Sequence, residues 1–324
     1  MKQLLYLYAA LLLSGCNHAD DGAGTDTSGI DYKQQMRDFV MGISAKAKTA
    51  RPGFAVIPQN GIELVSSTGD EDGAADTVYL NAIDANGQED LFYGYDNDDQ
   101  ATDASATEYL RYFLDISKNA GKTILVTDYC STPAKMQDSY TKSQRAGYVS
   151  FAATERALNV IPNGMPNNVN GNSITSLSQA KNFLYLINPE NYASKEQFIT
   201  AVTATDYDVL IMDLYRENQS FTAAEVARLK QKANGGTRMV ICYMSIGEAE
   251  NYRYYWQSSW NTGTPSWLTQ ENPDWPGNYK VKYWDTDWQG IIYRNNDSYL
   301  DKILNAGFDG VYLDIIDAFE YFEQ

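Results

Sequence analysis

The sequence predicts an α/β protein built as a single (β/α)8 barrel, with a doubly wound sheet as the alternative. Three observations lead there. Short apolar runs alternate with helix-period stretches along the chain, the signature of a parallel sheet with crossover helices. Eight such runs can be counted, at 54–57, 79–83, 123–127, 148–151, 183–187, 209–212, 239–244 and 311–313. The 324 residues are also enough for one barrel, whose usual size is roughly 250 residues.

In chain order, residues 31–50 place Met36, Phe39, Val40, Ile43 and Ala47 at helical spacing, and Arg51-Pro52-Gly53 stops the helix. The strand at 54–57 ends in Pro58-Gln59-Asn60-Gly61. The run 79–83 reads as the second strand, followed by a polar stretch from Asp84 to Asp90. Ser105-Ala106-Thr107-Glu108 reads as a capping box opening a helix that closes at Asn119-Ala120-Gly121. The strand at 123–127 leads into Asp128-Tyr129, a helix covers 133–146, and Gly147 leads into the strand at 148–151. Residues 160–182 are rich in Asn, Gly, Ser and Pro and read as a connecting segment. A new series opens at 183–187. Capping boxes at Ser194–Gln197 and Thr222–Glu225 open helices on either side of the strand at 209–212, which ends in Asp213-Leu214-Tyr215. The strand at 239–244 precedes an insertion bearing Trp256, Trp260, Trp267, Trp275, Trp284 and Trp288, and a helix over 298–305 leads to the last strand.

The N-terminus carries a different message. Lys2, an apolar run over 4–13 and Leu13-Ser14-Gly15-Cys16 form a secretory leader of residues 1–16, too short to span a bilayer as a helix. A Cys directly after Leu-Ser-Gly resembles the lipobox of bacterial lipoproteins, which implies cleavage before Cys16 and lipid attachment to it. Residues 17–30 are Asp, Gly, Ser and Thr-rich and read as a flexible tether. The expected place is therefore the bacterial cell envelope, at an outer membrane and facing the periplasm or the surface, with membrane contact through Cys16 alone. The folded domain is expected over 31–324.

Composition removes several chemistries. A net charge of −17 argues against nucleic acid. The one histidine, His18, sits in the tether, so the folded part cannot host a Ser-His-Asp triad or a His-containing zinc site. Cys130 and Cys242 are too few for a four-cysteine metal site, and no cofactor or metal is expected. Carboxylates and tyrosines remain as equipment. The 25 Tyr and 6 Trp offer flat faces that suit sugar rings as well as cores.

The stretch Gly307-Phe308-Asp309-Gly310-Val311-Tyr312-Leu313-Asp314-Ile315-Ile316-Asp317 puts Asp314 where a strand should end. In a barrel that position opens into the active-site mouth. Together with Met244-Ser245-Ile246-Gly247-Glu248-Ala249-Glu250-Asn251-Tyr252-Arg253 and Asn272-Pro273-Asp274-Trp275-Pro276-Gly277-Asn278-Tyr279, it resembles glycoside hydrolase family 114, the endo-α-1,4-polygalactosaminidase-like TIM barrels. The family's strand four corresponds to the Asp314 strand. Its helix four and later strands find their likeness at the front of this chain, in residues 31–50, 54–60 and 79–89. The resemblance therefore implies a circular permutation, with 160–182 joining the usual ends and new termini between strand four and helix four.

It also implies a hydrolase that cuts an α-linked, galactosamine-rich or related amino-sugar polysaccharide, with Asp314 as nucleophile and Glu89 as general acid/base, Glu248 being the other candidate acid. Such chemistry needs two carboxyl groups flanking the scissile bond. Asp213, Glu248 and Asp128 follow strands and could bind sugar hydroxyls or an ammonium, or else cap the following helix or pair with Arg253. Asn60 ends a strand at the same mouth, Tyr215, Tyr243 and Trp284 could form stacking walls, and Asp317 could orient Asp314. The rival expectation is a surface carbohydrate-binding lipoprotein that keeps the barrel without turnover.

Overall fold

The computed structural model describes residues 29–323. The leader, Cys16 and residues 17–28 of the tether lie outside the described residues. Helix α1 (Tyr32–Ala50) starts where Asp31 caps it, its carboxylate accepting from Gln34 N at 2.8 Å. It buries Met36, Phe39, Val40, Ile43 and Ala47, each large side chain stabilising the fold by roughly 1.5–3 kcal/mol. Strand β1 follows at Ala55–Pro58.

The next element corrects the sequence reading. Residues 79–83 are not a strand: Thr77–Ala82 is a helix, α2, because the Asp76 carboxylate accepts from Val78 N and Tyr79 N and so starts a helical turn. The strand, β2, is Ala85–Glu89. Helix α3 (Ala104–Asn119) begins at Asp103 rather than through a capping box at Ser105. Then come β3 (Thr123–Tyr129), α4 (Pro133–Ala146), β4 (Val149–Ala153), β5 (Leu184–Tyr185), α5 (Lys195–Thr203), β6 (Val209–Met212) and α6 (Ala223–Leu229). The Thr222–Glu225 capping box forms in full. Strand β7 is Met239–Ser245, α7 is Thr286–Gln289, α8 is Tyr299–Asn305, β8 is Gly310–Asp314 and α9 is Phe319–Phe322.

The protein is thus a mixed α/β fold. Its main sheet has five parallel strands in the order β1-β8-β7-β6-β5, and β2-β3-β4 form a second parallel sheet. The two adjoin at β1 and β2, where Gln59 and Gly87 form a parallel bridge and Asn60 N donates to Gly87 O at 2.9 Å. At the other edges, Phe151 of β4 lies 5.7 Å, ring to ring, from Phe183 just before β5. The insertion after β7 folds as an antiparallel sheet of Glu248–Glu250, Asn278–Val281 and Leu268–Glu271. The start of α1 meets the end of α9: Lys33 Nζ pairs with Glu323 Oε2 at 2.7 Å, and the Tyr32 and Phe322 rings stack at 5.6 Å.

Candidate active site

Side chains two apart on a strand share a face, and the registers show which face matters. On β8 it carries Tyr312 and Asp314; on β7, paired in register, it carries Tyr243 beside Tyr312. On β2 it carries Gly87 and Glu89, and on β3 Thr127 and Tyr129. Each of these strands therefore delivers a polar side chain at its C-terminal end.

Two carboxyls stand at the centre. Asp314 Oδ2 accepts from Tyr243 Oη at 2.6 Å. Glu89 accepts from the Tyr129 hydroxyl and, at 3.3 Å, from Asn60 Nδ2, while Asn60 Oδ1 takes the Glu89 and Gln88 amides at 3.1 and 3.2 Å. The two carboxyls feel one another. Burial pushes Asp314 up from 3.8 to about 8, the charge of Glu89 is the next cause, Asp317 adds to it, and the Tyr243 hydrogen bond opposes it. Burial and the nearby carboxylates keep Tyr129, Tyr185, Tyr243 and Tyr312 protonated, so their hydroxyls remain donors.

The backbone at the mouth is strained. Asn60, Asp90 and Ile315, each just past the end of a parallel strand, all have φ near +60° (58°, 57° and 60°). A β-branched residue rarely takes that conformation, and such strain concentrates where a site dictates direction. Asp90 turns its carboxylate to Arg156, with Arg156 Nη2 2.9 Å from Oδ1, and Arg156 lies 3.8 Å over the Tyr129 ring. Burial raises Asp90 to about 7 against the pull of Arg156.

Beneath the carboxyls, Tyr312 packs its ring 5.2 Å from Tyr185 and its buried hydroxyl has no hydrogen-bond partner among the described residues. A Cβ on Gly87 would stand 2.0 Å from that hydroxyl, so glycine is what admits Tyr312. Gly87→Ala is expected to cost roughly 1–3 kcal/mol by overpacking, read as a lower urea midpoint, and adding Tyr312→Phe should recover little of it, because the ring atoms Cζ and Cε2 would still stand 2.5 and 2.7 Å from the new Cβ.

The remaining predicted residues fall into separate environments. Arg253, 9% exposed, is clamped between Asp213 Oδ2 at 2.6 Å and the Glu250 carboxylate. Asp213 also accepts from Tyr215 N at 2.7 Å. Burial raises Asp213 while Arg253 lowers it, leaving a net upward shift. Glu248 is 1% exposed; one oxygen accepts from Asn272 Nδ2 at 2.8 Å and the other has no hydrogen-bond partner among the described residues. Asp128 is fully buried and accepts from Phe92 N, Tyr93 N and Ser139 Oγ at 2.9, 3.2 and 2.5 Å, which leaves it a structural cap of the 92–93 turn. Trp284 packs against Tyr32, Tyr283 and Phe322, with ring centroids 4.8–5.1 Å away, in the cluster where α1 meets α9. Asp317 is raised to about 7 by burial first and Glu320 second.

Sequence reasoning missed Tyr129, Tyr185, Tyr312, Glu250 and the Asp90–Arg156 pair. The available signal was period two: counting back two residues from Asp314 reaches Tyr312.

A family model described as "Glycoside-hydrolase family GH114" matches residues 166–324. Among similar proteins, an uncharacterized protein of Methanocaldococcus jannaschii is 35% identical over 181 residues, 55% of this chain and 49% of its own length. Uncharacterized proteins of Thermotoga maritima and Deinococcus radiodurans are 39% and 42% identical over 123 residues, 38% of this chain and 36% and 37% of theirs. The chain spans less than half the length of each of these curated relatives. The family match takes in β5 to β8, the Arg253 network and Asp314, while β2 and Glu89 lie outside it. Residues 166–324, just under half of the chain, are thus similar to glycoside hydrolase family GH114.

Proposed function

We propose that the protein hydrolyses an α-linked, galactosamine-rich or related amino-sugar polysaccharide, with Asp314 and Glu89 as the catalytic pair. One observation carries this reading: two carboxyls from the C-terminal ends of β8 and β2 lie close enough for the charge of Glu89 to help hold a proton on Asp314. Hydrolysis of a glycosidic bond needs one carboxyl with a proton to give and one without. A carboxyl held near 8 is the protonated member at neutral pH, so Asp314 serves as the acid. Glu89, fed by the donors Tyr129 and Asn60, then serves as nucleophile or as base toward water. This reverses the roles the family resemblance implies.

The eight parallel strands are proposed to close into one ring through the Gln59–Gly87 bridge and the Phe151–Phe183 contact. The ring would be circularly permuted, since the end of α9 reaches the start of α1 as a strand-four to helix-four connection would. Residues 160–182 would join the usual termini. Export and lipid anchoring at Cys16 belong to the same reading and rest on the leader motif.

The test is a screen of purified protein lacking residues 1–16 for reducing-end release from amino-sugar polymers. The proposal expects release from an α-1,4-galactosamine polymer or a close relative. Binding without release by the wild type would favour the silent carbohydrate-binding lipoprotein.

A further inference from the structure

In the sheet order β6 and β7, whose ends lead into Tyr215 and Arg253, lie on the other side of β8 from β1 and β2. A cavity of about 250 Å³ is lined by Tyr215, Glu217, Asn218, Tyr252, Arg253 and Tyr254; neither Asp314 nor Glu89 lines it. Its construction is unusual for a surface loop. Arg253 points inward and is locked by Asp213 and Glu250, so the residues on either side of it point outward. These are Tyr252 and Tyr254, 58% and 43% exposed. Tyr252 is fixed further by its hydroxyl, which donates to Glu250 Oε1 at 2.6 Å. Tyr254 stacks on Tyr215 at 5.7 Å and meets Tyr299 of α8 edge-on at 5.5 Å. Opposite, the two-residue turn between Tyr215–Arg216 and Gln219–Ser220 presents Glu217 and Asn218. Buried charge is thus used to hold aromatic faces out in water, where they would otherwise be withdrawn.

The lining selects a ligand class. Tyrosine faces offer an apolar surface with a polar edge, and Glu217 and Asn218 add a charged acceptor and an amide, the complement of a ring with one C–H face and a rim of hydroxyls. Four carboxylates (Asp213, Glu217, Glu250, Asp297) stand against three cations (Arg216, Arg253 and Lys302, which lies 5.1 Å over the Tyr254 ring), which disfavours a uronic acid and favours a neutral or cationic sugar. The cavity is linked to the carboxyl pair through β7, which carries Tyr243, the donor to Asp314 Oδ2 at 2.6 Å, and runs on into Glu250 and Arg253.

We propose that this pocket is a distal subsite holding one neutral or cationic sugar ring of a polysaccharide already bound across Asp314. It rests on the hydrolase reading for its substrate and on its own geometry for its place.

The test uses the Glu89→Gln protein, titrated calorimetrically with long and short α-1,4-linked galactosamine oligosaccharides. In that background Tyr254→Ala, a ring whose hydroxyl makes no hydrogen bond among the described residues, is expected to weaken binding of the long oligosaccharide about tenfold, about 1.4 kcal/mol, and to leave the short one unchanged. Asn218→Ala should act in the same direction, and near-ultraviolet dichroism checks that both variants fold. Equal affinities with and without the Tyr254 ring overturn the subsite while the hydrolase reading stands. Loss of long-chain binding in a protein whose wild type cleaves nothing keeps the subsite and overturns the hydrolase. No binding at either length overturns both.

Discussion

Asp314→Asn is expected to lower kcat by about 10³-fold or more, within the range that a positioned acid or nucleophile contributes, and at the same time to make the protein more stable at pH 7. The second effect separates this residue from a structural aspartate. Asp314 is ordinarily a 3.8 group and is held at about 8 in the fold. Between those values the native state keeps a proton that the unfolded chain has lost. Stability therefore falls as pH rises from about 4 toward 8, by up to a few kcal/mol at neutral pH. Asparagine does not titrate, so the variant should show a flatter pH dependence and a higher urea midpoint at pH 7, with the difference vanishing near pH 4. Glu89→Gln should also abolish turnover. By removing the second cause of the shift, it should move the Asp314 titration to lower pH. In the wild type, an acid at about 8 predicts that kcat/KM falls as pH rises through that value. An Asp314→Asn protein that keeps its rate, or that is destabilised at pH 7, would remove Asp314 from the chemistry.

The placement of these groups explains which parts of the molecule could be read from the chain. Asp314 was legible because the carboxylate follows the apolar run Val311-Tyr312-Leu313, where a buried strand should end, although a helix N-cap reads the same way. Strand β2 was not legible: its residues are Ala, Asn, Gly, Gln and Glu, and no large apolar side chain marks it. The reason is spatial. Its inward positions are small at Ala85 and Gly87 so that the Tyr312 ring can occupy the interior, and polar at Glu89 because the site begins there. The apolar run before it, at 79–83, looked more like a strand than the strand did, and a single cap at Asp76 decided otherwise. The tyrosines around the carboxyls hid for the opposite reason, since an aromatic inside a strand ordinarily reads as core. Tyr312 and Tyr185 are core by packing, with the Tyr185 hydroxyl donating to Gln59 Oε1 at 2.9 Å and that of Tyr312 without a partner among the described residues. Trp284 misled in the other sense: its ring belongs to the packing that joins α1 to α9.

The second large effect is expected at the opposite end of the strands. Lys232 and Asp208 form an ion pair at 2.9 Å with both side chains fully buried. Asp208 Oδ2 also accepts from Asn170 Nδ2 at 2.9 Å and Lys181 N at 2.8 Å, and Lys232 donates to Asn170 O at 3.0 Å. Asn182 Oδ1 accepts the Asp208 amide at 2.8 Å. Every one of those partners outside the pair lies in 160–182, so this buried pair fastens the connecting segment to the start of β6. Lys232→Met would leave a carboxylate in the interior without its countercharge, a change that typically costs 3–5 kcal/mol, on the order of the stability of many whole domains. A urea titration should show the midpoint falling at unchanged slope. Arg228 and Glu196 serve as the control. They are held at 2.6 Å, but their side chains are 50% and 65% exposed, so water already solvates both charges and Arg228→Met should leave the midpoint where it was. Equal responses from the two variants would mean that the segment 160–182 is held by something other than this pair. A large response from Lys232→Met alone, accompanied by faster proteolysis within 160–182, would show that burial rather than separation gives the contact its strength.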